Sequence, residues 1–375
     1  MSHAVGVPTR NRVAVTFSAR MAASHGLSMY LVWLAFESKS AAAAGWVLVA
    51  RAVSALVVPL AVGHVHDRGR IGPWLRLSAA VEAVVAMVLA YVGWRGAASW
   101  VMVLLSLVLG ATSSLFDTVV YPLILAASPS RLRPHVLVGL SYDVAKVIGS
   151  SLVMALLAVW HSPVPVMAVS LLALAGWRLP SPSADHLADG SASDGGSPWR
   201  DMPLGPVIAL GLVALLPGQV QVFQVASAHS SFFDFGVLGT SFALGAVAAN
   251  LVMQRLRVSY PAASLAYLLT AASLLTALQW PVPAFFTYGV SIATYYQLTR
   301  VLVIEAADPA VRGRVSAAMT AVSKVVAVAG SVLAAVLVHH HVALHVVAAV
   351  IAVGSSVSVT VGHRLLRSIP STLDA

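Results

Sequence analysis

The sequence predicts an all-α integral membrane protein of twelve transmembrane helices arranged as two pseudo-symmetric six-helix bundles. Three observations predict it: an apolar composition, basic residues confined to one set of connecting loops, and an internal register between the two halves. Of the 375 residues, 59% are hydrophobic and 9% are charged, and the mean hydropathy is +0.88. A soluble domain carries about 25% charged residues, so this chain lacks the material for a water-facing surface. Apolar runs recur from Val13 to Val361, each long enough to cross a ~30 Å hydrocarbon core as a helix. Backbone polar groups in lipid need internal partners, which leaves helices or a closed barrel. A barrel alternates apolar and polar residues in ~10-residue segments. Val101–Leu109 and Val346–Val353 are apolar all round and fit helices.

The spans are expected at 13–36, 42–63, 73–94, 99–126, 136–159, 162–178, 203–226, 232–254, 261–279, 282–304, 315–338 and 342–362. One longer polar stretch, Pro180–Asp201, is rich in Ser, Asp, Gly and Pro and reads as a flexible linker. It separates an N-terminal bundle (1–179) from a C-terminal bundle (202–375). The first span shows no small-residue cleavage site after a short apolar region, so it is expected to be retained.

Lys and Arg are held on the cytoplasmic side of a membrane. With both termini there, that side collects Arg10, Arg12, Arg68, Arg70, Arg76, Arg131, Arg133, Arg178, Arg200, Arg255, Arg257, Arg312, Arg314, Arg364 and Arg367. The opposite side holds only Lys39 and Arg95. Deleting one span would scramble that asymmetry. The formal charge of +9 therefore reports topology, and its scatter over short loops argues against a nucleic-acid partner. Without cysteine there is no disulfide framework or thiol chemistry.

A single register lays Arg131 on Arg312, Arg133 on Arg314, Gly149 on Gly330 and Ser150 on Ser331. Apolar coincidences mean little in such a composition, but two arginines and a Gly-Ser pair in one register make spans 5 and 11 equivalent. Internal repeats of this kind mark transporters.

Between spans 2 and 3 the chain reads Gly63-His-Val-His-Asp67-Arg68-Gly69-Arg70. This resembles the loop motif of the major facilitator superfamily, a glycine followed by Asp-Arg and then Gly-Arg. The loop is one residue shorter than the usual pattern, and Gly72-Pro73 stands in place of its third basic residue. Gly45 to Pro59 with Arg51, Leu115-Phe116-Asp117, and Val311-Arg-Gly-Arg-Val315 extend the likeness, towards drug and siderophore exporters. The resemblance implies a central cavity lined by spans 1, 4, 7 and 10. It also implies a seam between halves formed by spans 2, 5, 8 and 11, and alternating access by rocking.

Ionisable residues inside spans cost about 2.5–3.5 kcal/mol on insertion scales and mark function by default. Here they are Arg20, Arg51, Glu82, Asp117, Asp143, Lys146, Arg300 and Lys324. An acid that loses its basic partner when a cavity opens takes up a proton more readily. Asp117, facing Arg20 at comparable depth, is the first proton-coupling candidate, then Asp143, then Glu82 on a helix that is usually peripheral. The plainer reading makes each a structural acid. Asp143 and Lys146 lie one turn apart and can pair, while the repeat register sets Asp143 on Lys324. The pair Asp143–Lys324 is expected to form across the seam in one access state and part in the other, or else to be a permanent neutralising contact.

Substrate-cavity candidates are Arg20, Gln221, Gln224, Tyr296, Arg300 and Lys324, the glutamines sharing one helix face. The alternative for them is helix–helix hydrogen bonding. His339-His340-His341 with His345 reads as a surface cluster, since three consecutive residues cannot face one ion on a helix; no metal or other cofactor is expected.

The expected function is secondary active transport, as a monomer: proton-coupled export of a small organic molecule of siderophore or antibiotic type. A proton-coupled importer or a lipid flippase of the same fold is the alternative, and a non-transporting membrane sensor a second. No nucleotide-binding loop or nucleophile constellation appears, so an enzyme is not expected. Alanine-rich composition without cysteine points to a bacterial inner membrane.

Overall fold

In the computed structural model the described residues are 10–38, 41–66, 71–96, 98–126, 132–159, 232–255, 279–306 and 312–339, with scattered positions between 265 and 364. Eight long helices occupy them: α1 (Arg10–Ser38), α2 (Ala41–His66), α3 (Ile71–Arg95), α4 (Ser99–Ala126), α5 (Leu132–Val159), α6 (Phe232–Arg255), α7 (Pro281–Ala306) and α8 (Arg312–His339). They correspond to predicted spans 1–5, 8, 10 and 11. Spans 6 and 7 and the linker 180–201 lie outside the described residues, as does most of spans 9 and 12.

The helices outrun the apolar segments that announced them, by up to a turn at either end. Apolar length reports only the hydrocarbon crossing, whereas the helix continues through the headgroup layer. Thus α5 starts at Leu132 and α8 at Arg312, taking Arg133 and Arg314 into their first turns. Pro73–Arg95, Ser99–Phe116 and Phe233–Met253 are the described stretches both long and apolar enough to cross a bilayer by composition alone.

Helix ends follow local rules. Gly96 adopts a left-handed φ of 76°, and its N–H donates to the Val92 carbonyl at 2.7 Å, closing α3 where a side chain would be strained. Pro281 opens α7 at a position whose missing N–H has no helical partner to lose.

Small residues set the tightest crossings. A Cβ on Gly26 of α1 would meet the Gly149 carbonyl of α5 at 3.0 Å. On Gly289 of α7 it would run into the Phe242 carbonyl, and on Gly245 of α6 into that of Phe286. Close backbone approach replaces the hydrophobic drive that lipid cannot supply.

The packing has the symmetry the repeat implied. Helix α2 packs along α4, and α6 along α7, the pair equivalent to it in the other half. Across the seam α2 packs on α8 and α5 on α6, two contacts that a two-fold axis exchanges. Spans 2, 5, 8 and 11 therefore form the seam, as expected. At one end of the seam Trp33 of α1 meets Phe235 of α6, ring centroids 5.9 Å apart, in a core with Tyr30, Val92 and Met102. Ser151 and Thr240 meet at 3.3 Å beside it.

Candidate functional site

Among the described residues two charged clusters lie within the helix bundle, one inside the N-terminal half and one on the seam.

The first is built on Arg20 of α1. Its Nε and Nη2 donate to Oε2 of Glu82 on α3 at 3.2 and 3.1 Å. Nη2 also reaches Ser78 Oγ at 2.9 Å and Nη1 the Leu75 carbonyl at 3.3 Å. Ser78 and Glu82 are spaced four residues apart, so α3 offers both on one face. The guanidinium plane rests 4.1 Å from the centroid of the Phe116 ring, which stacks on Phe17. Arg20 is 1% exposed and Glu82 0%. A planar fork lets two guanidinium N–H groups converge on one carboxylate oxygen while the face stacks on a ring, an arrangement specific to arginine. The buried Ser24 hydroxyl of α1 lies beside the Glu82 carboxylate. Every described member of this cluster lies on α1, α3 or α4.

The second is built on Asp143 of α5. Lys146 Nζ donates to Oδ1 at 2.7 Å, one turn away on the same helix. Asn250 of α6 donates Nδ2 to Oδ2 at 2.8 Å, and Nδ2 also reaches the Ala246 carbonyl at 3.0 Å. Both carboxylate oxygens are thus engaged, one within the helix and one across the seam. Asn250 is fully buried and its Oδ1 has no hydrogen-bond partner. Gly139 leaves room beside it: a Cβ there would strike Gln297 Nε2 of α7 and approach Asn250 Oδ1 at 3.1 Å. The Lys146 ammonium lies 4.8 Å from the Tyr142 ring centroid and 5.8 Å from that of Phe242 on α6.

The predicted residues separate accordingly. Arg20 and Glu82 come together, as do Asp143 and Lys146; Glu82, placed last among the acids on sequence grounds, holds the most enclosed position. Tyr296 is half-buried on α7, beside buried Tyr295 and Gln297. Lys324 is half-buried on α8, which packs on α2 while α5 packs on α6. Asp117 and Arg300 fall within α4 and α7 and Gly63 within the last turn of α2, but the side chains of Asp117 and Arg300 lie outside the described residues. So do Gln221, Gln224, Asp67, Arg68, Gly69 and Arg70, and the histidines 339–341 and 345 apart from the backbone of His339. Among the described residues no group of three or more His, Cys, Asp or Glu side chains is placed to hold a metal.

Sequence reasoning missed Asn250. Its signal was present, an amide inside an otherwise apolar span, where a polar side chain is retained for a partner.

The paired seam helices, the exchange symmetry and the charged groups at mid-depth fit a single family. The Major Facilitator Superfamily model matches residues 13–331. The chain belongs to the major facilitator superfamily. No curated protein matches it in sequence. Among solved structures, this facilitator chain is similar to the nucleoside transporter NupG, with TM-score 0.64 and 13% identity over 95% of this chain and 99% of that one. It is also similar to a bacterial homolog of the human lysosomal transporter Spinster, in an inward-facing and occupied conformation. There the TM-score is 0.68, with 12% identity over 96% of this chain and 97% of that one. These likenesses show the facilitator fold, and with the family they make the chain a multi-pass membrane transporter.

Proposed function

We propose that this facilitator is a proton-coupled secondary transporter of a small organic molecule, and that Asp143 is its coupling acid. One observation carries the choice: Asp143 is bonded across the seam, by Asn250, whereas Glu82 is bonded within one half. Rocking moves the halves against each other and leaves each half internally fixed. An acid that couples protons to access must sense the contact that changes, and Asp143 does. Protonation removes the charge that Lys146 pairs with and weakens the bond to Asn250. Glu82 with Arg20 then serves as a fixed ionic strut, and Lys324 stands as the residue that Asp143 meets in the other access state.

The likeness of spans 2 and 4 to those of drug and siderophore exporters favours export in exchange for protons. A second reading, cotransport, is favoured by the Asp143–Lys146 pair, because a proton on Asp143 releases the ammonium for a substrate. Basic-residue placement favours a topology with both termini in the cytoplasm, and the alanine-rich, cysteine-free composition favours a bacterial inner membrane. Proteoliposomes preloaded with a water-soluble bacterial metabolite extract test the proposal by mass spectrometry of their contents. A set of compounds is expected to accumulate or be lost only while a pH gradient is imposed. Accumulation in an acidic lumen means exchange, and in an alkaline lumen cotransport. Asp143→Asn should still equilibrate the same compounds but without response to the gradient. Gradient-driven movement that survives in Asp143→Asn contradicts the assignment.

A further inference from the structure

The Asn250 carboxamide is only half used. Its Nδ2 donates to Asp143 Oδ2 at 2.8 Å and reaches the Ala246 carbonyl at 3.0 Å. Its Oδ1, on a residue that is 0% exposed, has no hydrogen-bond partner among the described residues. A buried acceptor left unpaired costs stability, so its retention calls for a reason. Two neighbours define what lies on that side. Gly139 stands one turn before Asp143 on the same face of α5, and a Cβ there would approach Oδ1 at 3.1 Å. The same Cβ would strike Nε2 of Gln297 on α7. Two carboxamides from different helices thus lie against one bare stretch of α5, with Asp143 at the other end of the Asn250 amide.

A carboxylate only accepts, so the amide has to present Nδ2 to it. A proton taken up by Asp143 changes that. Oδ1 of Asp143 faces the Lys146 ammonium at 2.7 Å, so the proton goes to Oδ2 and makes a hydroxyl there. That hydroxyl is a donor facing a donor. Half a turn of the Asn250 amide puts Oδ1 in the place of Nδ2, and an N–H···O bond becomes an O–H···O bond. The Ala246 carbonyl is not orphaned, because inside α6 it accepts a backbone N–H. The displaced Nδ2 swings to where Oδ1 was and needs an acceptor. The Gln297 amide carries one, its Oε1.

We infer that the Asn250 carboxamide turns over when Asp143 is protonated, and that Gln297 is the positioning residue that receives it. The seam is then bonded in both protonation states, but α7 is drawn in only in the protonated one. The inference rests on Asp143 as the coupling acid and adds the group that reads its proton. The helices packed on α5 are α1, α4, α6 and α7. Their charged and titratable residues near mid-helix are Arg20 and His25 on α1, Asp117 on α4, and Tyr295, Tyr296 and Arg300 on α7; α6 has none between Asp234 and Arg255. On α5 itself they are Tyr142 and Lys146. Any of these that titrates still does so in Asp143→Asn, which separates its influence from that of Asp143.

The chain has two asparagines, Asn11 and Asn250, so an Asn11→Gln protein carrying isotope-labelled asparagine reports Asn250 alone. Solid-state NMR of that protein in liposomes, with isotope-labelled aspartate in a parallel sample, follows the Asn250 carboxamide and the Asp143 carboxyl as pH is lowered. Size-exclusion profiles establish that each variant is folded. The two groups are expected to change together, with one midpoint. In Asp143→Asn, whose new amide donates from the same place, the Asn250 signals should stand at the acid position at every pH. Gln297→Met keeps the length and loses the acceptor. It should leave the alkaline position unchanged, since Oδ1 has no bond to lose, and move the midpoint about half to one pH unit towards acid, the shift expected for one hydrogen bond. Asn250 signals that stay in place while Asp143 titrates overturn the turning and leave the coupling reading standing. A midpoint unmoved in folded Gln297→Met overturns the role of Gln297. If Asp143 stays charged throughout and gradient-driven movement survives in Asp143→Asn, the coupling reading fails and takes the inference with it.

Discussion

Asn250 of α6 holds Oδ2 of Asp143 on α5 at 2.8 Å, while Lys146 holds Oδ1 at 2.7 Å. One carboxylate therefore ties a helix of one half to a helix of the other and to its own neighbour. Hydrogen bonds between membrane helices are worth about 0.6 kcal/mol on average and up to about 1.7. That is small enough to be broken in a transport cycle and large enough to bias it.

Asn250→Ala should remove the cross-seam bond without touching the ion pair. Thermal unfolding of the purified protein is expected to show a loss of about 0.5–2 kcal/mol. Asn250→Gln, which keeps the amide one methylene further out, should cost less than alanine if the bond matters. Equal losses for both would point to packing alone.

The Arg20–Glu82 pair predicts a different pattern. Removing one partner leaves a buried charge uncompensated, so Arg20→Met or Glu82→Gln should each destabilise by about 3–5 kcal/mol. Replacing both, as Arg20→Met with Glu82→Met, should recover most of that stability, since apolar pairs of similar volume often equal a buried ion pair. The recovered double variant should still move substrate in response to a pH gradient. A stable double variant that has lost gradient response would transfer the coupling role to Glu82.

Two glycines predict opposite causes of damage. Gly96→Ala meets nothing within 4 Å but keeps a φ of +76°, so it should cost about 1–2 kcal/mol of backbone strain only. Gly289→Ala drives a methyl group into the Phe242 carbonyl across the α6–α7 crossing and should cost about 1–3 kcal/mol by overpacking. Gly289→Ala should also lower the folded yield in membranes, which Gly96→Ala should leave near wild type. Unfolding temperatures and detergent-extracted yields read both.

Much of the fold was legible because lipid imposes it. Span existence, loop charge and the two-fold register are composition-level signals, and α4 begins and ends where the apolar run did. The helix ends of α5 and α8 were not, because Arg133 and Arg314 belong to the headgroup layer, where apolar counting is blind. Within the site, the Asp143–Lys146 pair follows from helical spacing alone. Which acid faces Arg20 did not, since spacing within α1 says nothing about how α3 and α4 are rotated against it; the structure turns Ser78 and Glu82 of α3 to the guanidinium. Asn250 needed a partner on another helix to acquire meaning, and sequence shows no partners.

Trp33 and Phe235 close one end of the seam, the end that also carries Trp94 and Trp280. Phe235 lies in the first turn of α6, Trp94 in the last turn of α3, and Ser241 of α6 bonds the Val282 carbonyl beside Trp280 at 2.7 Å. Aromatic pairs contribute about 0.5–1.5 kcal/mol beyond their buried area. Trp33→Ala should therefore raise the fraction of molecules open at this end several-fold, seen as a longer distance between spin labels placed at Trp94→Cys and Trp280→Cys. An unchanged distribution would remove Trp33–Phe235 from the seal.

The same pair of labels addresses the coupling acid directly. The natural chain has no cysteine, and both positions are exposed, at 65% and 67%, so labelling is clean. Pulsed electron–electron resonance of the reconstituted protein in alkaline and then acidic buffer measures how protons move the halves. The account predicts a shift of the distance distribution on acidification in the wild type, and in Asp143→Asn a distribution already at the acid position that no longer responds to pH. A pH response in Asp143→Asn as large as in the wild type would contradict Asp143 as the coupling acid.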